Sequence, residues 1–299
     1  MPRPELVERD RGPWTWGFKK VLFVLLLVHC PLSMVTGPLH AQSTQFYIED
    51  DIGTGHKARI YLVGQPQAKA MVQEALYAAI DHARAATAKM ESELTAINQQ
   101  KGQGKHMVSP ELASAVAAGL ELGSKTNGLV DITGVGNYKR IQANLRSNTL
   151  KIKADNVQLN LEPILNGFLA DLIANDLSAA GWGNCLVKIG NVYVTRGNDA
   201  SAPWRIPVVV PSEKIAKRVL YYQAKQEKAA GATGQVGKEI SAGAGLNSVT
   251  IFSASGADSE GLAAAVLKMG MEEGKKFLAR NKNLSAIFVD SQGNLTNVP

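Results

Sequence analysis

Four short β-rich runs follow one another in the middle of the chain with no helix-length segment between them: "CLVKI" (185–189), "NVYVT" (191–195), "RIPVVV" (205–210) and "RVLYYQ" (218–223). Consecutive strands of this kind favour an α+β arrangement over a doubly wound sheet, in which each strand hands over to a helix. The helical segments stand on either side of that block. A strand-like "KARIYLVG" (57–64) leads into an Ala-rich stretch from Ala68 to Leu94 that carries Val72, Leu76, Ala79, Ile80 and Ala83 at helical spacing. "SPELASAVAAGLELGSKT" (109–126) predicts a second helix, with Ser109 as N-cap and Pro110 in its first position. A third begins at Pro163, where a helix has no use for the missing amide hydrogen, and runs along an apolar stripe of Ile164, Leu165, Phe168, Leu169, Leu172, Ile173 and Leu177 to a C-capping Gly181. "SVTIFS" (248–253) and "SAIFVD" (285–290) bracket a fourth helical region, with Met269 near the end of its first segment. "GNVYVTRG" (190–197) and "GATGQVGKEISAGAG" (231–245) hold too many glycines for strand interiors and read as loops or tight turns first, phosphate cradles second.

The first forty residues have the build of an export signal: Lys19 and Lys20 precede the apolar run "VLFVLLLV" (21–28), and "LHAQ" offers a cleavage point after Ala41. The run is too short to span a bilayer. A lipid anchor on Cys30 is disfavoured by the bulky His29 before it. Cleavage at Ala41 would leave Cys185 as the single cysteine, so no internal disulfide forms, and the expected location is periplasmic or at the cell surface. Residues 42–299 contain no repeat or low-complexity linker and read as one domain. They hold 27 Lys/Arg against 23 Asp/Glu, too mild and too scattered an excess to argue for nucleic acid.

Within the third helix, Asn166 and Gly167 stand in the N-terminal turn, where unpaired backbone donors and the positive end of the helix dipole favour an anion. The plainer reading is a helix start packed on a core. Asp258 likewise reads as an N-cap or first-turn acid, Asp131 as a turn acid, and Asp171 as either a residue orienting the site or a solvated helix residue.

Seven stretches, in order, resemble the ApbE family of FAD:protein FMN transferases. "IGT" (52–54) is similar to the family's "MGT", "SELTAIN" (92–98) to "SELSRLN" and "TNGLVDIT" (126–133) to "GAFDPT". "LEPILNGFLAD" (161–171) aligns without gaps to "LGGIAKGYAVD", "VKIGNVYVTRG" (187–197) resembles "VNLGGNIYAKG", and "PWRIPVVVP" (203–211) resembles "PWRVGIQDP". "SVTIFSASGADSEGLAAAVLKMG" (248–270) is similar to "SVTVVAPSAADALATALFVMG".

The resemblance implies a single α+β domain, T-fold-like, with mixed helices and antiparallel strands. It also implies an exported enzyme that uses FAD and magnesium to place FMN on a threonine of an acceptor protein. That reaction is attack on a pyrophosphate, so the site has to neutralise phosphate charge with a metal, cations and backbone donors. By the alignment, Asp258 and the Leu165 carbonyl would hold magnesium, and Asn166, Gly167, Asp171, Gly190, Asn191 and Thr233 would meet the flavin nucleotide. Asp258 and Asn166 would carry the catalysis.

Several positions depart from the pattern. Asn166 stands where the family has a lysine, and an amide donates a hydrogen bond but brings no charge. Glu162 and Pro163 replace two glycines, and Leu262 replaces a metal-binding hydroxyl. All five histidines precede residue 107, so the histidine of the family's "HIIDPRTG" segment has no counterpart. Thr233 and Gly234 in "AAGATGQV" (229–236) are the best trace of that segment's "TG". "EKAAGATG" (227–234) also faintly resembles the flavin acceptor motif, which would make Thr233 an acceptor, although Glu227 and Ala230 depart from it. Lys188 and Arg196 are the candidates to replace the missing cation. Two functions therefore stand: an exported FMN transferase of unusual makeup, and a non-catalytic relative that binds a flavin nucleotide or a partner protein.

Overall fold

The structure is a computed structural model and describes residues 7–9, 43–100, 103–134, 138–153, 155, 157–199, 202–210, 218–223, 230–235 and 245–298; side chains at 7–9, 209–210, 218–223 and 230–235 lie outside the description. Lys19 to Ala41, including Cys30, lie outside the described residues.

The chain opens with β1 (Val7–Arg9), β2 (Thr44–Asp51) and β3 (Lys57–Gly64), and continues into the long helix α1 (Lys69–Gln99). Next come β4 (Gly104–Met107), α2 (Pro110–Lys125), β5 (Ile141–Asn144), β6 (Thr149–Ile152) and α3 (Leu165–Ala179). A run of strands follows: β7 (Cys185–Ile189), β8 (Val192–Arg196), β9 (Arg205–Val210), β10 (Arg218–Gln223), β11 (Ala230–Gln235) and β12 (Ser248–Ser253). Helix α4 (Gly256–Arg280), β13 (Ser285–Val289) and β14 (Leu295–Val298) close the chain.

Nine strands form one sheet in the order β1-β2-β3-β7-β8-β11-β12-β13-β14, antiparallel at every neighbour pair. The expected α+β class with antiparallel strands is what the chain adopts. One face of this sheet carries the helices and the main core, from Phe46, Ile60 and Leu62 through Val187, Val194 and Ile251 to Leu169, Ile173 and Val266. The opposite face carries a smaller core of Val63, Leu186, Phe252 and residues of the β9-β10 hairpin, Ile206 and Val208, with Trp204 beside them. Strand β7 shows how the pleat divides the two: Cys185, Val187 and Ile189 face the helices while Leu186 joins the smaller core, as a period of two requires.

Helix α2 starts as expected, with the Ser109 hydroxyl accepting from the Leu112 amide at 3.3 Å. Gly270 breaks α4 at φ 79, directly after Met269. Several details differ from the sequence reading, among them "GNVYVTRG", which reads as a loop or turn first and holds strand β8. Helix α3 begins at Leu165 with Ile164 as N-cap, and Pro163 sits in the preceding turn. The Gly-rich segment 230–235 is not a loop but β11, filling the gap between β8 and β12, because a strand paired on both edges is held by its neighbours' ladders whatever its own propensity. The sequence reading also passed over the short strands β4, β5, β6 and β14 and over β2, whose charged tail "EDD" hides a buried Phe46 and Ile48.

Candidate functional site

Two helix starts meet on the helical face of the sheet. Gly167 of α3 and Gly256 of α4 make the approach possible: a Cβ on Gly167 would overlap the Gly256 carbonyl, and one on Gly256 would stand 2.6 Å from the Gly167 carbonyl oxygen. Each helix start carries amide hydrogens without an intrahelical partner and the positive end of a dipole. Each is answered by an acid from the other helix. Glu260 of α4 reaches α3, where its Oε2 accepts from the Gly167 amide at 2.8 Å and its Oε1 from the Asn166 Nδ2 at 3.0 Å. Asp171 of α3 reaches α4, where its Oδ2 accepts from the Gly256 amide at 2.8 Å, the Ala257 amide at 3.2 Å and the Ser255 hydroxyl at 2.9 Å.

Sequence reasoning missed Glu260. A signal was present: from Ser259 to Leu267, "SEGLAAAVL", it is the lone charged residue in a segment apolar on all sides, and a helix apolar all round is buried, so a carboxylate within it needs a partner. Burial pushes Glu260 up to about 7, against the opposing pull of the Gly167 and Asn166 hydrogen bonds, and the charge of Glu162 adds to the rise. Burial also raises Asp171 in spite of its hydrogen bonds at the α4 start.

The other candidates fall into place around this pair. Asn166 Oδ1 is buried and unpaired. Gly190 and Asn191 form the β7-β8 turn, with Gly190 at φ 54. A Cβ on Gly190 would lie 3.6 Å from Asn166 Nδ2 and 3.5 Å from the His56 ring, so the turn, Asn166 and His56 gather at one place. Asp171 is largely buried: its Oδ2 caps α4, while its Oδ1 has no hydrogen-bond partner. Asp258 lies in the first turn of α4, its carboxylate 3.8 Å from the Lys125 ammonium, and burial raises it against that cation. Asp131 accepts from the Thr133 amide at 2.9 Å and the Thr133 hydroxyl at 2.6 Å, a local turn. Thr233 sits in β11 opposite Thr250, and its side chain lies outside the described residues.

Neither candidate replacement cation reaches Asn166. Lys188 points to the sheet face away from the helices, 5.4 Å from the Tyr193 ring centroid. Arg196 is on the helical side but is held by Asn175 at 3.1 Å and lies 3.8 Å from Asp171 Oδ1. Cys185 is buried and its thiol is pushed up to about 12, so it is inert.

A cleft of about 310 Å³ opens at the start of α3, lined by Gly53, Thr54, Thr87, Met90, Glu91, Leu94, Thr95, Asn98, Leu159, Asn160, Leu161, Glu162 and Leu165. Its walls come from three of the stretches that carry the family resemblance, around residues 52–54, 92–98 and 161–171. This size lies at the lower end of the range for small-molecule sites.

The residues do not fit magnesium. Asp258 faces an ammonium, and Leu262 one turn on is a buried apolar side chain. Among the described residues no group of three or more His, Cys, Asp or Glu is arranged to hold a metal ion. Nor do they fit a pyrophosphate at the α3 start, because the donors that would cradle it already serve Glu260.

The ApbE family model matches residues 134–235. A curated FAD:protein FMN transferase of Vibrio cholerae serotype O1 is 26% identical over 154 residues, which span 42% of this chain and 46% of that protein, less than half its length. Among solved structures, the flavin transferase ApbE from Vibrio cholerae superposes with a TM-score of 0.71 at 19% identity, covering 86% of this chain and 97% of that one. The apo flavinyl transferase ApbE of Pseudomonas stutzeri gives 0.70 at 20% identity, with 86% and 95% covered. The ApbE protein of Thermotoga maritima gives 0.67 at 18%, with 85% and 96% covered. The chain thus resembles the ApbE family in sequence over residues 134–235 and shares the fold of the solved ApbE proteins over most of its length.

Proposed function

We propose that this chain keeps the ApbE scaffold and a flavin-binding cleft but does not transfer FMN. The observation that carries this reading is the Glu260 carboxylate on the Gly167 amide and the Asn166 amide group. A transferase needs those donors for the FAD pyrophosphate, and it needs cations to offset the charge that develops there. Here the seat is filled by the protein's own carboxyl group, the lysine of the family is Asn166, and Asp258 has Lys125 in place of a metal. Each missing contribution is worth several kcal/mol, and ~3 kcal/mol is already about a hundredfold in rate.

The transferase reading, with Asp258 and the Leu165 carbonyl on magnesium, is the alternative supported by the resemblance to the FAD:protein FMN transferases. We further propose that the protein works outside the cytoplasm, on the strength of Lys19, Lys20, the apolar run 21–28 and the cleavage point at Ala41, where cleavage would remove the edge strand β1 and leave β2 as the edge of the sheet. No helix among the described residues is long and apolar enough to cross a membrane.

The test is to incubate the exported protein with FAD, magnesium and a threonine acceptor peptide and to read the FMN adduct by intact mass, with the Vibrio cholerae enzyme as positive control. No adduct is expected. An adduct that disappears on Asp258→Ala would establish the transferase reading instead.

A further inference from the structure

The charge of the cleft bears on which flavin it takes. Its apolar walls, Met90, Leu94 and Leu165, suit a flat aromatic ring, whereas its ionisable lining consists of Glu91 and Glu162 with no Lys, Arg or His among the lining residues. At the Leu165 end the chain passes straight into Asn166 and Gly167, whose donors face Glu260. A phosphate-bearing ligand would therefore meet like charge at the rim and at the helix start, with no Lys, Arg or His among the lining residues to offset it.

We propose that the cleft takes a flavin without phosphates, a neutral tricyclic ring with a polyhydroxyl chain such as riboflavin, in preference to FMN or FAD. Hydroxyl groups donate, and the carboxylates of Glu91 and Glu162 accept, so the rim that repels a phosphate receives a sugar alcohol chain. The inference rests on the non-transferring reading above and names the ligand class of the same site.

The experiment is flavin-fluorescence quenching of the exported protein at pH 8, titrated with riboflavin, FMN and FAD, each with magnesium and with chelator. Riboflavin is expected to bind more tightly than FMN or FAD by about tenfold, with no effect of magnesium. Glu162→Lys, at an exposed position, is expected to close that gap by strengthening FMN and FAD. FAD binding as tightly as riboflavin, or no binding by any of the three, overturns the inference. The peptide assay separates the two claims: an FMN adduct overturns the non-transferring reading, whereas FAD preference without an adduct overturns only the choice of ligand.

Discussion

Glu260 and Gly167 stand 93 positions apart in the chain and 2.8 Å apart in the fold, carboxylate oxygen to backbone amide. Asp171 returns the contact from α3 to α4 at the same distance from the Gly256 amide. Two helix starts that would each attract an external anion thus neutralise one another, and the protein's own carboxylates fill both positions.

Folding raises Glu260 from its ordinary 4.5 to about 7, so the folded protein holds that proton more tightly than the unfolded chain. The stability this contributes is complete below about pH 4.5 and is lost as the pH rises through about 7, a span on the order of 3 kcal/mol. Urea unfolding at pH 5 and pH 8 should show the wild type losing more stability over that interval than Glu260→Gln. Equal losses in both proteins would contradict it.

Asp171 Oδ2 accepts three hydrogen bonds at the α4 start. Removing it in Asp171→Ala leaves those donors unmet and should cost about 3 kcal/mol in denaturant unfolding, while Asp171→Asn, which keeps an acceptor, should cost about 1 kcal/mol. Equal costs for the two variants would show that the hydrogen bonds are not what matters.

Gly167→Ala forces α3 and α4 apart, since its Cβ would overlap the Gly256 carbonyl. A loss of about 3 kcal/mol is expected in urea. Gly183→Ala serves as the comparison, because nothing lies within 4 Å of its Cβ, and it should fall within about 0.5 kcal/mol of the wild type.

His82 of α1 joins Asp176 of α3 at 2.7 Å and lies 3.7 Å from Glu111 of α2. Its hydrogen bond to Asp176 raises its pKa, so the bridge is present at low pH and is lost as the pH rises through the raised value. The side chain is 44% exposed, which screens the pair and holds its worth to about 0.5 kcal/mol. His82→Gln should therefore destabilise slightly at pH 5.5, less in high salt, and not at pH 9.

Much of the fold was legible because its elements announce themselves locally. β7, β9, β10 and β12 are β-branched or aromatic runs, and α1 and α2 carry apolar residues at helical spacing. β11 was not, since "AGATGQ" has no propensity for a strand and is held by β8 and β12 on its two edges. The site was half legible. Asn166 and Gly167 read as an anion-favouring helix start from their position alone, but the anion that answers them lies on another helix, and no local pattern joins residue 166 to residue 260. Asp171 reads equally as a site-orienting residue or a solvated helix acid for the same reason, because its partners at 255, 256 and 257 lie at the start of α4.

The most direct test of the filled seat is calorimetry with inorganic pyrophosphate at pH 8, comparing the wild type with Glu260→Ala. The account predicts no binding heat for the wild type and measurable binding for the variant, whose Gly167 and Asn166 donors are released. Pyrophosphate binding by the wild type as tight as by the variant would contradict it.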